Sequence, residues 1–276
     1  MDTLAHDSPF DYEPVWEAFQ RRRLACSFHS GGQGWGTRMS TTNYMYNHIG
    51  SFAAGAEAAA RSLIFGGVPR RYPDLRFAFL EGGVAWAASL YADLLGHWSK
   101  RNRETVLHYD PARLDGAQLA ELFEQHARGR MRDRRHELSY GLHMLSEPLP
   151  DGESPDEFAS TGIGGTDDVT DIFTRQYFFG CEADDPLNAL AFAADLNPHG
   201  ARHRAIFASD IGHWDVPDVR EPLPEAYEMV TDGHLDEGDF RDFVFGNAAR
   251  LWGASALFED TVVEEPVRAF LAGAQG

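Results

Sequence analysis

Cysteine is scarce: the 276 residues contain two, Cys26 and Cys181. Two thiols cannot build the framework of a disulfide-stapled secreted domain. Both sit in apolar runs, so a reduced, cytoplasmic setting is expected. Also missing is any run of 18 apolar residues, which argues against a membrane-spanning helix. The opening MDTLAHDSPF has neither a basic region nor an apolar stretch, so it does not read as a secretory signal. Positive charge is short as well, with 24 Lys and Arg against 43 Asp and Glu, a formal net charge of −19. A surface so acidic repels nucleic acid and anionic membranes, leaving small molecules and proteins as partners. Hydrophobic residues make up 43%, enough for a sizeable core.

The apolar residues fall into a repeating order. A helix is expected over residues 14–23, with Pro14 in its first turn, followed by the buried strand LACSF at 24–28. That strand ends in His29, Ser30, Gly31 and Gly32. Phe52, Ala56, Ala59, Ala60, Leu63 and Ile64 recur at helical spacing until Gly66 and Gly67 break the pattern. RFAFL at 76–80 is the second strand, ending at Glu81-Gly82-Gly83, with a helix through Trp86, Leu90 and Leu94. YFFGC at 177–181 is the third, ending at Glu182, Asp184 and Asp185 before a helix over 187–196. AIFA at 205–208 is the fourth, ending at Ser209, Asp210 and His213. Helices over 221–231 and 237–252 follow.

Strand–helix units with wholly apolar strands are the pattern of a parallel β/α architecture. In barrels of that kind the chemistry sits at the carboxyl ends of the strands. Residues 102–174 break the rhythm and read as an insertion. Its arginines at 128–135 are expected on a solvated helix face, and its Gly, Ser, Thr, Pro and acid-rich stretch at 150–171 as loop.

Three residues at strand ends stand out as candidates for chemistry. His29 by itself fits a core histidine bonded to a backbone carbonyl as readily as a ligand. Glu81 and Asp210 are carboxylates where burial is costly unless they are paired, solvated or metal-bound. If the sheet curves, the three converge, and a divalent metal held by imidazole and carboxylate satisfies that convergence. His213 either orients Asp210 or packs with Trp214. Asp184 and Asp185 fit helix capping and solvent exposure, Glu182 is open, and His48 either faces the pocket or, as the more ordinary role, serves as a cap or surface residue.

Several strings resemble the amidohydrolase-related family of the metal-dependent amidohydrolase superfamily, in its aminocarboxymuconate-semialdehyde decarboxylase-like branch. They are YEPVW at 12–16 before FHSG at 28–31, LIFGGV at 63–68 with RYPDLR at 71–76, and FLEGGV at 79–84 with Trp86. FASD at 207–210 with HWD at 213–215, and GNAAR at 246–250, complete the set. The resemblance covers about residues 6–100 and 176–253. It implies a (β/α)8 TIM barrel holding one divalent metal, zinc or manganese, and a hydrolase or decarboxylase acting on a small aromatic or carboxylic substrate. By motif His29 matches the metal-binding histidine after the fifth strand, and Asp210 the metal-binding aspartate after the eighth. Where many members have histidine before two glycines at the sixth strand, this chain has Glu81. The implied catalytic residues are therefore Glu81, Asp210 and His213, with His29 and Asp210 on the metal.

The family's H-x-H pair of the first strand is absent, since no two histidines here are separated by one residue. Four strands are half of the eight in a full barrel. Residues 1–276 are thus expected to form one domain equivalent to the barrel's second half, strands five to eight, with an exposed half-interior, weak metal binding, and either a homo-oligomeric partner or a missing N-terminal half. The contrasting reading is a catalytically incomplete half-barrel or remnant that works only with a partner chain.

Overall fold

Runs of three to five apolar residues are too short to bury themselves as helices, and here they pair side by side. The computed structural model describes residues 3–30, 36–150, 154–253 and 255–273, so Gly31, Gly32 and part of the expected 150–171 loop lie outside the described residues. In chain order the elements are α1 (Glu13–Arg22), β1 (Cys26–Phe28), α2 (Tyr44–His48), α3 (Ser51–Phe65), α4 (Val68–Arg71), β2 (Phe77–Phe79) and α5 (Ala85–Arg101). Then come α6 (Gly116–His126), α7 (Arg130–Asp133), α8 (Leu138–Ser146), α9 (Thr166–Asp171), β3 (Tyr177–Cys181) and β4 (Arg204–Phe207). The chain closes with α10 (Pro222–Thr231), α11 (Glu237–Arg241), α12 (Asn247–Trp252) and α13 (Glu264–Gly273). Contacts divide it into two compact units, Met1–Leu95 with Ser160–Gly276, and Gly96–Ala159.

The sheet belongs to the first unit. Its strands lie in the order β1-β2-β3-β4, all parallel, as the run of strand–helix units predicts. Phe28, Phe79 and Phe179 stand in register, as do Phe77 and Tyr177 one pleat earlier. These rings share a face because side chains alternate along a strand. Trp16 of α1 packs edge-on to Phe77, and Trp86 of α5 edge-on to Phe79 and Phe179. The Tyr177 hydroxyl donates to the Ala60 carbonyl of α3 at 3.0 Å. That face is therefore an aromatic core roofed by helices.

The opposite face carries smaller side chains. Ala78, Phe178 and Ile206 are buried against Leu251 of α12, with Leu80, Ala248 and Trp252 packed around them. Helix α12 thus covers the middle of the face expected to be an open half-interior, and the central strands are buried on both sides, as parallel strands generally are. Only the β1 position on that face, Ser27, stays exposed. The expected loop at 150–171 also needs revision: Thr166–Asp171 is helical, with Asp167 and Asp168 in its first turn and Val169 fully buried. The expected α-helix at 187–196 is instead a 3-10 turn, Pro186–Ala191.

Candidate functional site at the strand carboxyl ends

Every strand delivers one ionisable side chain just past its carboxyl end: His29, Glu81, Glu182 and Asp210. The backbone at two of these ends is unusual. Glu81 has φ 59° and Asp210 φ 50°, left-handed values that a side chain with a Cβ adopts at a cost of the order of 1–2 kcal/mol. At β2 the turn is closed by Gly83, φ 64°, whose amide donates to the Gly180 carbonyl of β3 at 3.1 Å. A Cβ at Gly82 would meet the Trp86 indole nitrogen at 2.9 Å and the Ala53 backbone at 3.2 Å. The two glycines therefore let the β2 end tuck against α3 and α5 while Glu81 turns outward to the rim.

His29 and Glu81 form a pair, Nε2 to Oε1 at 2.8 Å. The ring of His29 also meets Phe52 edge-on at 5.8 Å. With the Nε2 proton donated to the carboxylate, Nδ1 is the nitrogen left with a lone pair. On the far side of the rim Asp210 Oδ2 pairs with His213 Nδ1 at 2.6 Å, while the neighbouring Trp214 is 91% exposed. Asp215 joins them: Asp210, His213 and Asp215 each offer a ligand atom, and these atoms lie within 4.8 Å of one another. Two carboxylates and an imidazole are a donor set that suits a borderline divalent cation.

Glu182 is the group that senses both halves. Burial holds its carboxyl above the ordinary value, and Asp184, Asp210, Glu81 and Asp185 push it further the same way. The rim thus concentrates negative charge around Glu182. Asp185 also caps the following 3-10 turn, its carboxylate accepting from the Leu187 amide at 2.9 Å. Beside this rim lies a cleft of about 230 Å³, walled by His48, Phe52, Glu81, Gly83, Glu182 and Asp185 among others.

His48 is therefore a wall of the cleft rather than a helix cap. Its ring stacks on Tyr44 at 5.1 Å, with Nδ1 bonded to the Tyr44 hydroxyl at 3.1 Å, and stands edge-on to Phe52. Phe52 belongs to the next helix, across Ile49 and the left-handed Gly50, so no helical spacing in the sequence announces the ring pair. Asp215 was missed: it follows Asp210 by five residues in a turn tight enough to bring both carboxylates to His213.

Comparison with curated proteins gives no match. The family model described as Amidohydrolase matches residues 2–254, a span that includes the segment 102–174 expected to be an insertion. A match of that extent, on a parallel β/α sheet that gathers histidines and carboxylates at its strand ends, makes this chain a member of the amidohydrolase family.

Proposed function

We propose that this protein is a metal-dependent hydrolase or carboxy-lyase of the decarboxylase-like branch, acting on a small organic substrate held in the cleft beside Glu81. The observation that carries the reading is the delivery of His29, Glu81, Glu182 and Asp210 by four consecutive parallel strands to one rim. The residues present fit a divalent cation at the β4 end of the rim, where Asp210 has imidazole and carboxylate companions within ligand spacing; His29, past the opposite edge strand and bonded to Glu81, is not among them. Asp210 and His213, with Asp215 in support, would hold zinc or manganese, which when bound supplies polarisation of a substrate oxygen.

The chain's own residues supply the rest. Glu81 fixes the His29 ring and is placed to accept a proton from an attacking water. Glu182, whose carboxyl is held above the ordinary range, is suited to returning a proton to a leaving group or carbanion. His48 and Phe52 offer ring faces to a planar substrate and narrow the approach of water. The half-barrel reading belongs here too: strands β1 to β4 would correspond to the fifth to eighth of a barrel, with a divided site completed by a second chain. It is favoured by the unpaired outer edge of β1, where Ser27 is exposed, and by the lack of an H-x-H pair.

Calorimetric titration with zinc and with manganese tests the reading. Stoichiometric binding that weakens at least tenfold in both His213→Ala and Asp210→Asn is expected. Binding indifferent to both substitutions would overturn it. Specific activity that rises with protein concentration would favour the divided site over a self-sufficient chain.

A further inference from the structure

At the opposite end of the sheet, where the strands begin, the charge changes sign. A cleft of about 400 Å³ opens between the end of α1, the entries to β1, β2 and β3, and the end of α12. Its wall holds Arg23, Arg76 and Arg175 with a single carboxylate, Asp74, and Leu24, Leu75 and Leu251 form the apolar part. Three guanidiniums face Asp74 in the wall and Asp171, which reaches Arg175 at 4.0 Å, leaving one positive charge uncompensated there, in a chain whose net charge is −19.

These arginines are held with donors to spare. Arg76 is half-buried and spends one Nη on the Arg250 and Leu251 carbonyls at the end of α12. Its Nε and other Nη have no acceptor among the described residues. Arg175 touches only the exposed Asp171, at 4.0 Å, and Arg23 has no carboxylate partner among the described residues. Behind them Arg204 donates to the Thr174 carbonyl at 2.7 Å, and Arg250 pairs with Asp242 at 3.2 Å. Burial pushes Arg204 down to about 10, and Arg250, Arg76 and Arg175 push in the same direction against Asp242. Like charges gathered in a partly desolvated place raise the local potential, and a bound anion is the direct way to relieve it.

We propose that this cleft is an anion site for a dianionic oxyanion, a phosphate group carried on a small organic body, separate from the chemistry at the carboxyl ends. The guanidinium fork matches two oxygens of a phosphate, and with Arg204 and Arg250 behind the wall against Asp242 the five guanidiniums exceed their three carboxylates by two, which matches a dianion. The leucines give the organic body an apolar wall. Concavity and the acidity of the remaining surface favour a free small molecule over a lipid or nucleic acid backbone. A ligand here would tie the end of α1 to the entries of β1 and β2 and to α12, the helix that covers the second face of the sheet.

The test uses the full chain and inorganic phosphate as the probe, with sodium chloride at matched ionic strength as control. Phosphate is expected to raise Tm saturably, beyond the chloride control. In the Arg23→Ala/Arg175→Ala double variant, whose changes fall on exposed side chains, the apparent Kd for phosphate should rise by about tenfold or more. His29→Ala, at the other end of the strands, should leave the phosphate response unchanged. A phosphate shift no larger than the chloride shift, or one that survives intact in the double variant, would overturn the proposal. Loss of the shift in His29→Ala would move the anion to the carboxyl-end rim and overturn it equally.

Discussion

The sheet unit is richer in apolar residues than the unit formed by Gly96–Ala159, and the two also use them differently. In the first, every residue of β2 and β3 is buried, and Trp16, Tyr91, Phe173 and Phe243 are almost wholly hidden around them. In the second, none of α6, α7 or α8 contains a buried residue, and among its described residues only Val106, Ala127 and Phe158 are buried. Tyr140, Met144 and Leu145 of α8 stand exposed, as do Leu122 and Met131. Its arginines at 130, 132, 134 and 135 face solvent, with pairs from Arg135 to Glu124 and from Arg134 to Glu137 that count for little at a surface. Helical periodicity therefore specified helices in both regions. A core formed only where parallel strands gave the apolar faces something flat to pack against.

The largest effect that could break this comparison comes from truncating matched large side chains. Phe179 is fully buried and meets Phe79, Trp86, Phe173 and His203 at ring distances of 5.5–6.4 Å. Phe179→Ala should destabilise the chain by about 3–5 kcal/mol, through lost transfer energy and the cavity left behind. Met144→Ala on α8 should stay within about 0.5 kcal/mol. Denaturant unfolding checks both. A Met144→Ala cost comparable to that of Phe179→Ala would show that α8 is buried against something in solution.

A somewhat smaller effect should appear with pH and only in the sheet unit. His203 is 2% exposed, boxed by the rings of Tyr91, Phe173 and Phe179, and neither ring nitrogen has a hydrogen-bond partner among the described residues. Burial pushes it from its ordinary 6.5 to about 4, opposed only by the Phe173 backbone, whose approach does not complete a hydrogen bond. The unfolded chain then binds the proton more tightly than the folded one. The contribution of His203 is full above pH 6.5 and is lost as pH falls toward 4, about 3 kcal/mol in all. Unfolding free energies measured across that window should show the slope in the native chain and lose it in His203→Leu. An unchanged slope in the variant would assign the acid sensitivity elsewhere.

How much of this was legible follows the same division. The run at 177–181 was readable to the residue because it is wholly apolar and becomes a central strand. The first strand starts two residues later than the run LACSF suggests, since Arg23 closes α1 at φ 56° without a glycine to announce the turn, and Leu24 is left 44% exposed. The helix expected at 187–196 fails for a tertiary reason: the Asn197 side chain bonds the Leu190 and Ala201 carbonyls and bends the chain. At the site, His29, Glu81, Asp210 and His213 could be named because they follow apolar runs directly. Asp215 could not, and His48 could be named only as one of several roles, because what recruits them is the path of a turn and a ring stack, which no short pattern encodes.

The smallest effect sharpens the comparison within the sheet unit, between its buried interior and its rim. The interior is relaxed, with aromatic side chains in register and every strand paired in its ladder. The rim holds Glu81 at φ 59°, a conformation in which a Cβ crowds the backbone and glycine does not. Glu81 is also part of the negative cluster that keeps the Glu182 carboxyl above its ordinary range. Both features work against the folded state, while the 2.8 Å bond to His29 is half exposed and returns little. Glu81→Gly should therefore gain about 1 kcal/mol of stability, net of the added freedom of the unfolded chain. The same variant should lose turnover, because His29 is no longer held and no carboxylate remains to accept the proton. Glu81→Gln separates the two contributions: it keeps the strained backbone and a hydrogen-bonding side chain, so its stability gain should be limited to the charge relief. Paired unfolding and activity measurements check this. If Glu81→Gly were destabilised, the left-handed rim would be a relaxed part of the fold, and the contrast between interior and rim would fail at the residue where it is drawn most sharply.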